Sequence, residues 1–485
     1  MTEQAWEPVN GADAVWLRLE SADNPMVITA LAVTEPLSVA DLHRLVQSRF
    51  MQFERFGWIP VNHSGIWFWE PDPEFEPEFH VRHLALPDPG DDEALATLVG
   101  DLMSQPLAEN HPLWQFALIE GYQGRSVIVM RVHHCYADGL SLAALFGAIS
   151  DDAPNVRPIP VRKEPVSESE RARTYQGILE TLRRALERVT HIKGEWTEKA
   201  GQLLAMADAG QAPSQVLAAV LGEVAQLMAL PDDSPSPLTG QRLSPLKRCA
   251  WSAPVALTEL KQTARVLGSS VNDLLLGAVS GGLGRYATLQ GGEAPGKLTA
   301  AMPVNLRPLN HADGRQALLG LGNYFGLALV PLAVSAANPL ESLYRVRHES
   351  EKLRQSWQPA IVHVAMSLLG LVPGLRQTAL ELINRRASLV LSNVPGPWRP
   401  RYLMGRKVED VMFWVPQAGQ ICTGVSLISY GGQLRMGLVT DRNHIARPDA
   451  LMGCMSSALE DYIQLAREGW HPPRPASGSR RSGQS

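Results

Sequence analysis

The 485-residue sequence has few of the features that mark disulfide-rich, zinc-binding or nucleic-acid-binding proteins. Its four cysteines are far apart and form no CxxC pair, so we expect reduced thiols, with neither a disulfide framework nor a metal site. They are Cys135, Cys249, Cys422 and Cys454. The net charge of -5 and the pI of about 6.2 provide no basic surface for nucleic acid.

The sequence also has no long apolar run. Its first twenty residues have neither a positively charged start nor an apolar core, so no signal peptide is predicted. The most apolar stretches, residues 324–334 and 361–372, are shorter than the roughly 18 residues that span a membrane. We therefore expect a cytoplasmic protein, and leave open a peripheral association with the inner membrane face or lipid inclusions.

The length predicts two α/β domains of similar size. In the first half, residues 1–150, we expect one helix capped by Ser38 and another over residues 92–103. The almost continuously apolar run 126–134 predicts a buried strand. An Asp-Gly pair ends this strand at Gly139, where an apolar helix begins.

The pattern changes in residues 151–246, which begin with a proline-rich, charged stretch. Amphipathic periodicity follows at 178–189 and 216–227, so the segment is predicted to be a helical connector. The second half, residues 247–470, again alternates strand and helix patterns. The small, polar and basic tail, residues 471–485, is predicted to be disordered.

In the second half, helices are predicted after Ser270 and over 447–467, and a hairpin at Gly431-Gly432. Strands are predicted at 247–255, 297–305, 324–334, 387–394 and 408–415.

The motif most indicative of chemistry is HHxxxDG, formed by His133, His134, Asp138 and Gly139. The two histidines end a buried strand, and the Asp-Gly turn leads into a helix. A side chain at such a point projects into a cavity from a rigid scaffold. Imidazole is mostly neutral at pH 7 and accepts a proton from a hydroxyl group, so the motif indicates a general base.

The residue pattern does not choose between the two histidines. Neighbours on a strand point to opposite faces, and both faces of this strand are apolar. Two hydrogen-bonded core histidines are the alternative interpretation. For Asp138 we favour a structural role, in which a cation such as Arg307 pairs with the carboxylate beneath the loop.

Further motifs accompany HHxxxDG. They are NPM at 24–26, PLAENHPLW ending in Pro112, Leu113 and Trp114, VNDLLL with Asn272 and Asp273, PVNLRP at 303–308, and LSNVPGP with Ser392 to Pro397. In this order and spacing the chain resembles the bacterial wax ester synthase/acyl-CoA:diacylglycerol acyltransferase family over nearly its whole length.

The resemblance implies the two-domain fold of CoA-dependent, chloramphenicol-acetyltransferase-like enzymes, with a channel between two related halves. It implies an O-acyltransferase that moves a fatty acyl group from acyl-CoA to a long-chain alcohol, diacylglycerol or both, giving wax esters or triacylglycerols. His134 is then the proton acceptor and His133 supports it, while Asp138 and Gly139 are structural. Acyl-CoA is a substrate, and no cofactor is expected.

Substrate contacts are predicted along the helix after Gly139, at Ala143 and Ala144 together with Leu140 and Phe146. For Asn272 and Asp273, helix capping and a place near the active site remain open.

Three other features have mainly structural interpretations. Residues 392–397 are interpreted as a strand-ending turn rather than a substrate contact. Trp114 is predicted to be a core residue. Cys135 is predicted to be a small buried side chain rather than a nucleophile.

Two other functions are compatible with the motif. HHxxxDG also occurs in condensation domains, so an amide synthase acting on carrier-bound acyl groups is one alternative; the chain contains no carrier or adenylation domain. A lipid-binding protein that has lost catalysis is the other, and the intact motif argues against it. Dependence on a carrier protein, or turnover of acyl-CoA with a long-chain alcohol, would separate the three.

Overall fold

A computed structural model describes residues 6–155, 233, 243–306, 321–334, 338–354, 356, 358–371 and 387–469. The predicted connector helices, the tail from residue 471 and Arg307 lie outside these ranges. In the described residues, no single helix is long and apolar enough to cross a membrane. Helices Leu257–Val266 and Val271–Leu289, bent by 89° at their junction, pass that test only as a pair, by length and composition.

The first large sheet has six strands and includes the strand that precedes the HHxxxDG turn. Its order is β13-β14-β2-β7-β6-β5. The bounds are β2 Val27–Thr34, β5 Val81–Ala85, β6 Trp114–Tyr122, β7 Arg125–His133, β13 Tyr402–Leu403 and β14 Arg406–Trp414. The predicted strand at 126–134 is thus confirmed as β7, although His134 lies just beyond its end.

The second large sheet contains the remaining strands of the C-terminal half. The hydrogen-bonded order is β11-β10-β12-β15-β16-β8, with β9 also paired to β16. The bounds are β8 Lys247–Trp251, β9 Val255–Ala256, β10 Leu298–Asn305, β11 Phe325–Leu332, β12 Leu389–Pro395, β15 Thr423–Tyr430 and β16 Gln433–Asp441. The strand predicted at 247–255 is split in two before Pro254, which has no N–H for the ladder.

A small third sheet has the order β1-β4-β3, from β1 Glu7–Pro8, β3 Trp58–His63 and β4 Ile66–Pro71.

One part of the C-terminal half joins the N-terminal sheet. Strand β14 runs antiparallel to β2, pairing Val408 with Thr34 and Trp414 with Thr29. The boundary predicted at residue 247 therefore divides the sequence but not the sheets. Strands β13 and β14 belong to the C-terminal half of the sequence and to the sheet of the N-terminal half.

The described helices include those predicted around the motif and in the second half. Their bounds are α1 Gly11–Leu19, α2 Val39–Ser48, α3 Asp92–Met103, α4 Gly139–Ile149, α5 Leu257–Val266, α6 Val271–Leu289, α7 Pro339–Arg354, α8 Gln358–Leu371 and α9 Pro448–Arg467. Ser38 caps α2 and Ser270 caps α6, each in a capping box with an Asp three residues later.

The core of the N-terminal half lies on both faces of β7. Ile128 and Val132 belong to a cluster that includes buried residues of α2 and α4. Val127 and Val129 face the other way, in a cluster with α3 and with Val439 of the second sheet. Strand β7 is therefore buried on both sides, which explains its unbroken apolar sequence.

Candidate active site

His134 is held at the end of β7 by its backbone and by its ring. Its N–H donates to the carbonyl of Met26 at 2.7 Å. The imidazole stacks on the indole of Trp16, with ring centroids 4.0 Å apart and an interplanar angle of 15°. The side chain is 7% exposed. The ring is therefore fixed in one orientation with little contact with solvent.

Helix α1, which supplies Trp16, packs closely against α8. A Cβ placed on Gly370 would lie only 1.8 Å from the carbonyl oxygen of Gly11, so the backbones meet where no side chain fits. This packing, with Asn10 capping the helix through Ala12 N–H, presents Asp13 and Trp16 towards the end of β7.

A hydrogen-bond network determines which nitrogen of His134 carries the proton. Nδ1 lies 2.8 Å from Oδ1 of Asn323. The orientation of that amide is defined because its Nδ2 donates to Oδ1 of Asp13 at 2.8 Å and to the carbonyl of His134 at 2.7 Å. Oδ1 of Asn323 is therefore the acceptor, Nδ1 of His134 is protonated, and Nε2 presents a lone pair.

Burial sets the protonation states of this network. Desolvation lowers the pKa of His134 to about 4, against a smaller opposing effect of the Asp138 charge. His134 is consequently neutral at pH 7 and able to accept a proton. Burial also raises the pKa of Asp13 to about 7, although hydrogen bonds from Asn323 favour its charged form.

His133 occupies a different environment. It is 1% exposed, and its Nε2 is hydrogen-bonded to the carboxylate of Glu20. Its Nδ1 accepts a hydrogen bond of 3.1 Å from the N–H of Cys135. Both ring nitrogens are engaged in holding the turn, so this ring stabilises the loop and presents no lone pair to a substrate.

Asp138 connects the motif to the C-terminal half. Its Oδ1 accepts from Ser141 N–H at 2.8 Å and so caps α4, and its Oδ2 accepts from Tyr324 N–H at 3.0 Å. Ser141 Oγ donates to the carbonyl of Gly322 at 3.3 Å. These contacts suit the predicted structural role. The cation predicted to pair with Asp138, Arg307, lies outside the described residues.

Gly139 and the LSNVPGP segment are neighbours in space. A Cβ on Gly139 would lie 3.1 Å from Cγ2 of Val394. The preceding residue, Asn393, donates through Nδ2 to Oδ1 of Asn272 at 3.2 Å. Asp273 participates in the capping box of α6. The capping role considered for Asp273 is thus present, while Asn272 connects α6 to the strand beside the motif.

A narrow apolar cavity of about 100 Å³ lies beside the motif, between the N-terminal sheet, α4 and the end of β12. Of the four residues predicted to contact substrate, Ala143 and Phe146 line this cavity, whereas Leu140 and Ala144 are not among its lining residues. The lining consists of Ile28, Ala30, Leu31, Ala32, Leu45, Phe116, Ile128, Met130, Gly139, Leu142, Ala143, Phe146, Ile149, Val394, Gly396, Pro397, Leu403, Val411, Met412, Phe413 and Ile428. Part of the 392–397 segment therefore borders the cavity as well as ending a strand.

Two other predicted residues are buried. Trp114 is 1% exposed and donates through Nε1 to the carbonyl of Phe56 at 2.7 Å, as expected of a core residue. Cys135 is also 1% exposed, and burial raises the pKa of its thiol well above the ordinary value. A thiol in this environment is a poor nucleophile.

Asn323, Asp13 and Trp16 were not predicted from the sequence as site residues. A signal exists for two of them. Asn323 interrupts an apolar run, and Asp13 lies on the buried face of an otherwise apolar helix, so each is a buried polar residue that needs a partner. Their 310-residue separation conceals that they partner each other.

A neutral, oriented imidazole between two α/β halves, beside an apolar cavity, is the arrangement expected of a two-domain acyltransferase of the chloramphenicol-acetyltransferase-like class. Sequence profiles agree. Residues 9–275 match the wax ester synthase/diacylglycerol acyltransferase catalytic domain, and residues 321–462 match the C-terminal domain of the same family. The chain belongs to the wax ester synthase/diacylglycerol acyltransferase family.

Curated relatives include the probable diacylglycerol O-acyltransferase tgs1 of Mycobacterium tuberculosis. It is 30% identical over 471 residues, covering 93% of this chain and 94% of that protein. The probable diacylglycerol O-acyltransferase tgs2 of the same organism is 26% identical over 486 residues, covering 93% and 98%.

Solved structures support the fold. The wax ester synthase/diacylglycerol acyltransferase of Marinobacter aquaeolei VT8 matches with a TM-score of 0.65 and 20% identity, over 95% of this chain and 100% of that chain. The first condensation domain of the calcium-dependent antibiotic synthetase matches with a TM-score of 0.60 and 17% identity, over 96% and 97%. The predicted two-halved α/β fold is confirmed.

Proposed function

We propose that the protein transfers a fatty acyl group directly from acyl-CoA to a long-chain alcohol or diacylglycerol, with Nε2 of His134 as the base. The observation that supports this most is the Asn323 amide, which places the proton of His134 on Nδ1 and leaves Nε2 as a proton acceptor. The low pKa of His134, about 4, keeps this acceptor neutral throughout the neutral pH range.

The reaction needs one base and no further cofactor. Nε2 of His134 removes the hydroxyl proton as the alcohol oxygen forms a bond to the thioester carbonyl carbon. The tetrahedral intermediate then expels the CoA sulfur, and the imidazolium returns its proton to that thiolate. An ester and free CoA result. The imidazolium is transient, because burial disfavours the charged ring, and so it releases the proton readily.

The apolar cavity beside Gly139 is the place proposed for an acyl chain. Its walls are almost entirely hydrocarbon, so it would exclude the charged and nucleotide parts of a substrate. Burial of each methylene contributes about 0.8 kcal/mol, so every methylene that enters the cavity strengthens binding of the acyl chain. The motif glycine is part of the wall, and therefore a chain in this cavity begins beside the catalytic turn.

The test is turnover by the purified protein with palmitoyl-CoA and either hexadecanol or a diacylglycerol. We expect wax ester or triacylglycerol and an equal amount of free CoA, both abolished to near background in His134→Ala. Ester formation only when the acyl group is supplied on a carrier protein would indicate a condensation-type enzyme. If the protein binds acyl-CoA but forms no ester with either hexadecanol or a diacylglycerol, the proposed reaction is contradicted.

A further inference from the structure

The loop between α1 and β2, residues 20–26, contacts both histidines of the motif. At its start, the carboxylate of Glu20 is hydrogen-bonded to Nε2 of His133. At its end, the carbonyl of Met26 accepts the hydrogen bond of 2.7 Å from the N–H of His134. Both histidines are therefore held by the same short loop.

Asn24 connects this loop to the C-terminal half. Its side chain is 1% exposed. Nδ2 of Asn24 donates to the carbonyl of Gly419 at 2.8 Å, and Oδ1 accepts a hydrogen bond of 2.8 Å from Nζ of Lys247. A carbonyl can only accept and an ammonium group can only donate, so the two contacts define the orientation of the amide. Because both partners belong to the C-terminal half, Asn24 couples the loop to the packing of the two halves.

The ammonium group of Lys247 has three acceptors. Besides bonding to Asn24, Nζ donates to the carbonyl of Ser244 at 3.1 Å and lies 3.5 Å from Oδ2 of Asp441. An ammonium group has three N–H donors, so each of them has an acceptor here. Both charged groups are buried, and Asp441 also accepts from the N–H groups of Ser244 and Asn443. The ammonium group is therefore a fixed point to which the amide of Asn24 is attached.

We propose that Lys247 and Asn24 are positioning residues for His134, a role that rests on the proposed function of His134 as the base. The ammonium group fixes the amide, and the amide fixes the 20–26 loop. The carbonyl of Met26 then sets the backbone of His134 at the end of β7. A displacement of about 1 Å at a reacting group can lower a rate by about a hundredfold, so release of this loop affects the reaction step.

Arg248, the next residue on β8, also joins the two halves and provides a matched contrast. Its Nη1 lies 2.9 Å from Oδ1 of Asp101 in α3 and donates to the carbonyl of Lys247 at 3.0 Å. Neither contact involves the 20–26 loop. Replacement of Arg248 therefore removes an ion pair between the halves and leaves the hydrogen bonds of Asn24 in place.

The test is steady-state turnover of palmitoyl-CoA and hexadecanol by full-length Lys247→Met, Asn24→Ala and Arg248→Gln proteins. We expect each of the first two changes to lower kcat by at least about tenfold, with KM for palmitoyl-CoA within about twofold of wild type, because a misplaced base slows the reaction and leaves binding unchanged. Arg248→Gln should keep kcat within about twofold, even if it lowers the melting temperature as much.

The double variant separates positioning through one loop from two independent losses. Lys247→Met combined with Asn24→Ala should lower kcat no further than the worse single change, because both changes release the same loop. Lys247→Met also leaves Asp441 buried without its ammonium partner, which is strongly destabilising. Asn24→Ala keeps that ion pair, so it provides the test if the Lys247→Met protein does not fold.

The ring of His134 gives a second readout, which does not depend on turnover. In protein made with isotope-labelled histidine, long-range proton–nitrogen correlation spectra show which ring nitrogen carries the proton. The signals of His134 are those absent from His134→Ala. We expect the Nδ1–H form in wild type and in Arg248→Gln, with shifted or broadened His134 signals in Asn24→Ala and Lys247→Met.

The two readouts distinguish failure of this inference from failure of the proposed reaction. If wild type forms no ester but the His134 signals change in Asn24→Ala, positioning through the loop holds and the proposed reaction fails. The inference is overturned if folded Asn24→Ala protein keeps the His134 signals of wild type, or if it keeps the kcat of an active wild type. It is also overturned if Arg248→Gln has the same effects as Asn24→Ala.

Discussion

His133 and His134 are neighbours in the chain, yet they contact different parts of the molecule. His134 stacks on Trp16 and is oriented by Asn323, so that Nε2 is available as a base. His133 uses both nitrogens, one with Glu20 and one with the N–H of Cys135. The sequence motif alone does not distinguish the two rings, whereas their hydrogen bonds do.

The difference shows how one strand end supports two tasks. Because side chains alternate along β7, the strand presents an apolar wall on one side, with Ile128 and Met130 at the cavity. The other side carries Arg131 and His133, whose polar groups hold the neighbouring loops. The loop is thus fixed from one side, while the acyl chain is proposed to lie on the other.

The largest expected effect separates the two histidines. His134→Ala should lower kcat by at least about a hundredfold, the usual scale for loss of a general base, without unfolding the protein. His133→Ala should cost distinctly less activity and lower the melting temperature, because it releases the turn. Steady-state kinetics with circular dichroism measures both. An essential His133 beside a dispensable His134 would reverse the assignment.

Next in size is the effect of the amide that orients His134. Asn323→Ala should lower kcat by about ten- to a hundredfold with little change in KM, since the imidazole loses its orientation. Asn323→Asp keeps an acceptor for Nδ1 but adds negative charge, which raises the pKa of His134. The acid limb of its pH–rate profile should therefore move to higher pH than in wild type. An unmoved limb would show that Asn323 contributes only to folding.

Selectivity for acyl-chain length tests the apolar side of β7, which lines the cavity. Ala143→Leu fills the cavity and should reduce kcat/KM for long acyl chains about tenfold relative to short ones, at about 1–3 kcal/mol for each methylene that no longer fits. Ala144 does not line the cavity, so Ala144→Val is the matched control. Identical acyl-chain profiles in both variants would remove this cavity from the substrate path.

A smaller effect concerns stability and pH. The pKa of Asp13 is raised from 3.8 to about 7, so its contribution to stability is full below about pH 4 and is lost as the pH rises through 7. Asp13→Asn keeps an oxygen acceptor for Asn323 but cannot ionise. The variant should melt several degrees above wild type at about pH 8, and close to it at about pH 4.5. A difference independent of pH would show that Asp13 does not titrate in this range.

The smallest expected effect is that of replacing Cys135, the residue after His134 in the chain. Cys135→Ala should keep activity within about twofold, because burial raises the pKa of the thiol and disfavours the thiolate. Wild-type kinetics should show intersecting double-reciprocal lines, as direct transfer in a ternary complex requires. Parallel lines, or acyl label retained on the denatured protein, would indicate an acyl-enzyme.

Local features of the fold could be predicted well from the sequence. Helix Asp92–Met103 has the predicted bounds because Asp91 caps it by accepting from Ala94 N–H, and the apolar run before HHxxxDG forms β7. Strand β14 was predicted as a strand, but its pairing with β2 was not. An apolar strand pattern determines burial, and it carries no information about which distant strand is its neighbour.

The site was predictable only where a motif marks it. His134 and Gly139 belong to a contiguous pattern, so they were identified together. Asn323 and Asp13 act through hydrogen bonds between segments far apart in the chain, and single buried polar residues give no partner in a sequence. The orientation of His134 is therefore set by the packing of the two halves.

The hairpin of β13 and β14, which joins the N-terminal sheet, has a consequence for folding during synthesis. Until residues 406–414 emerge during synthesis, β2 has one open edge, with unpaired N–H and C=O groups. Its other neighbour is β7, the strand that leads to the HHxxxDG turn. An N-terminal fragment ending near residue 150 would keep that edge exposed and invite pairing with other chains. The C-terminal segment thus completes the sheet of the first half, and His134, the proposed base, reaches its final surroundings only after most of the protein has been translated.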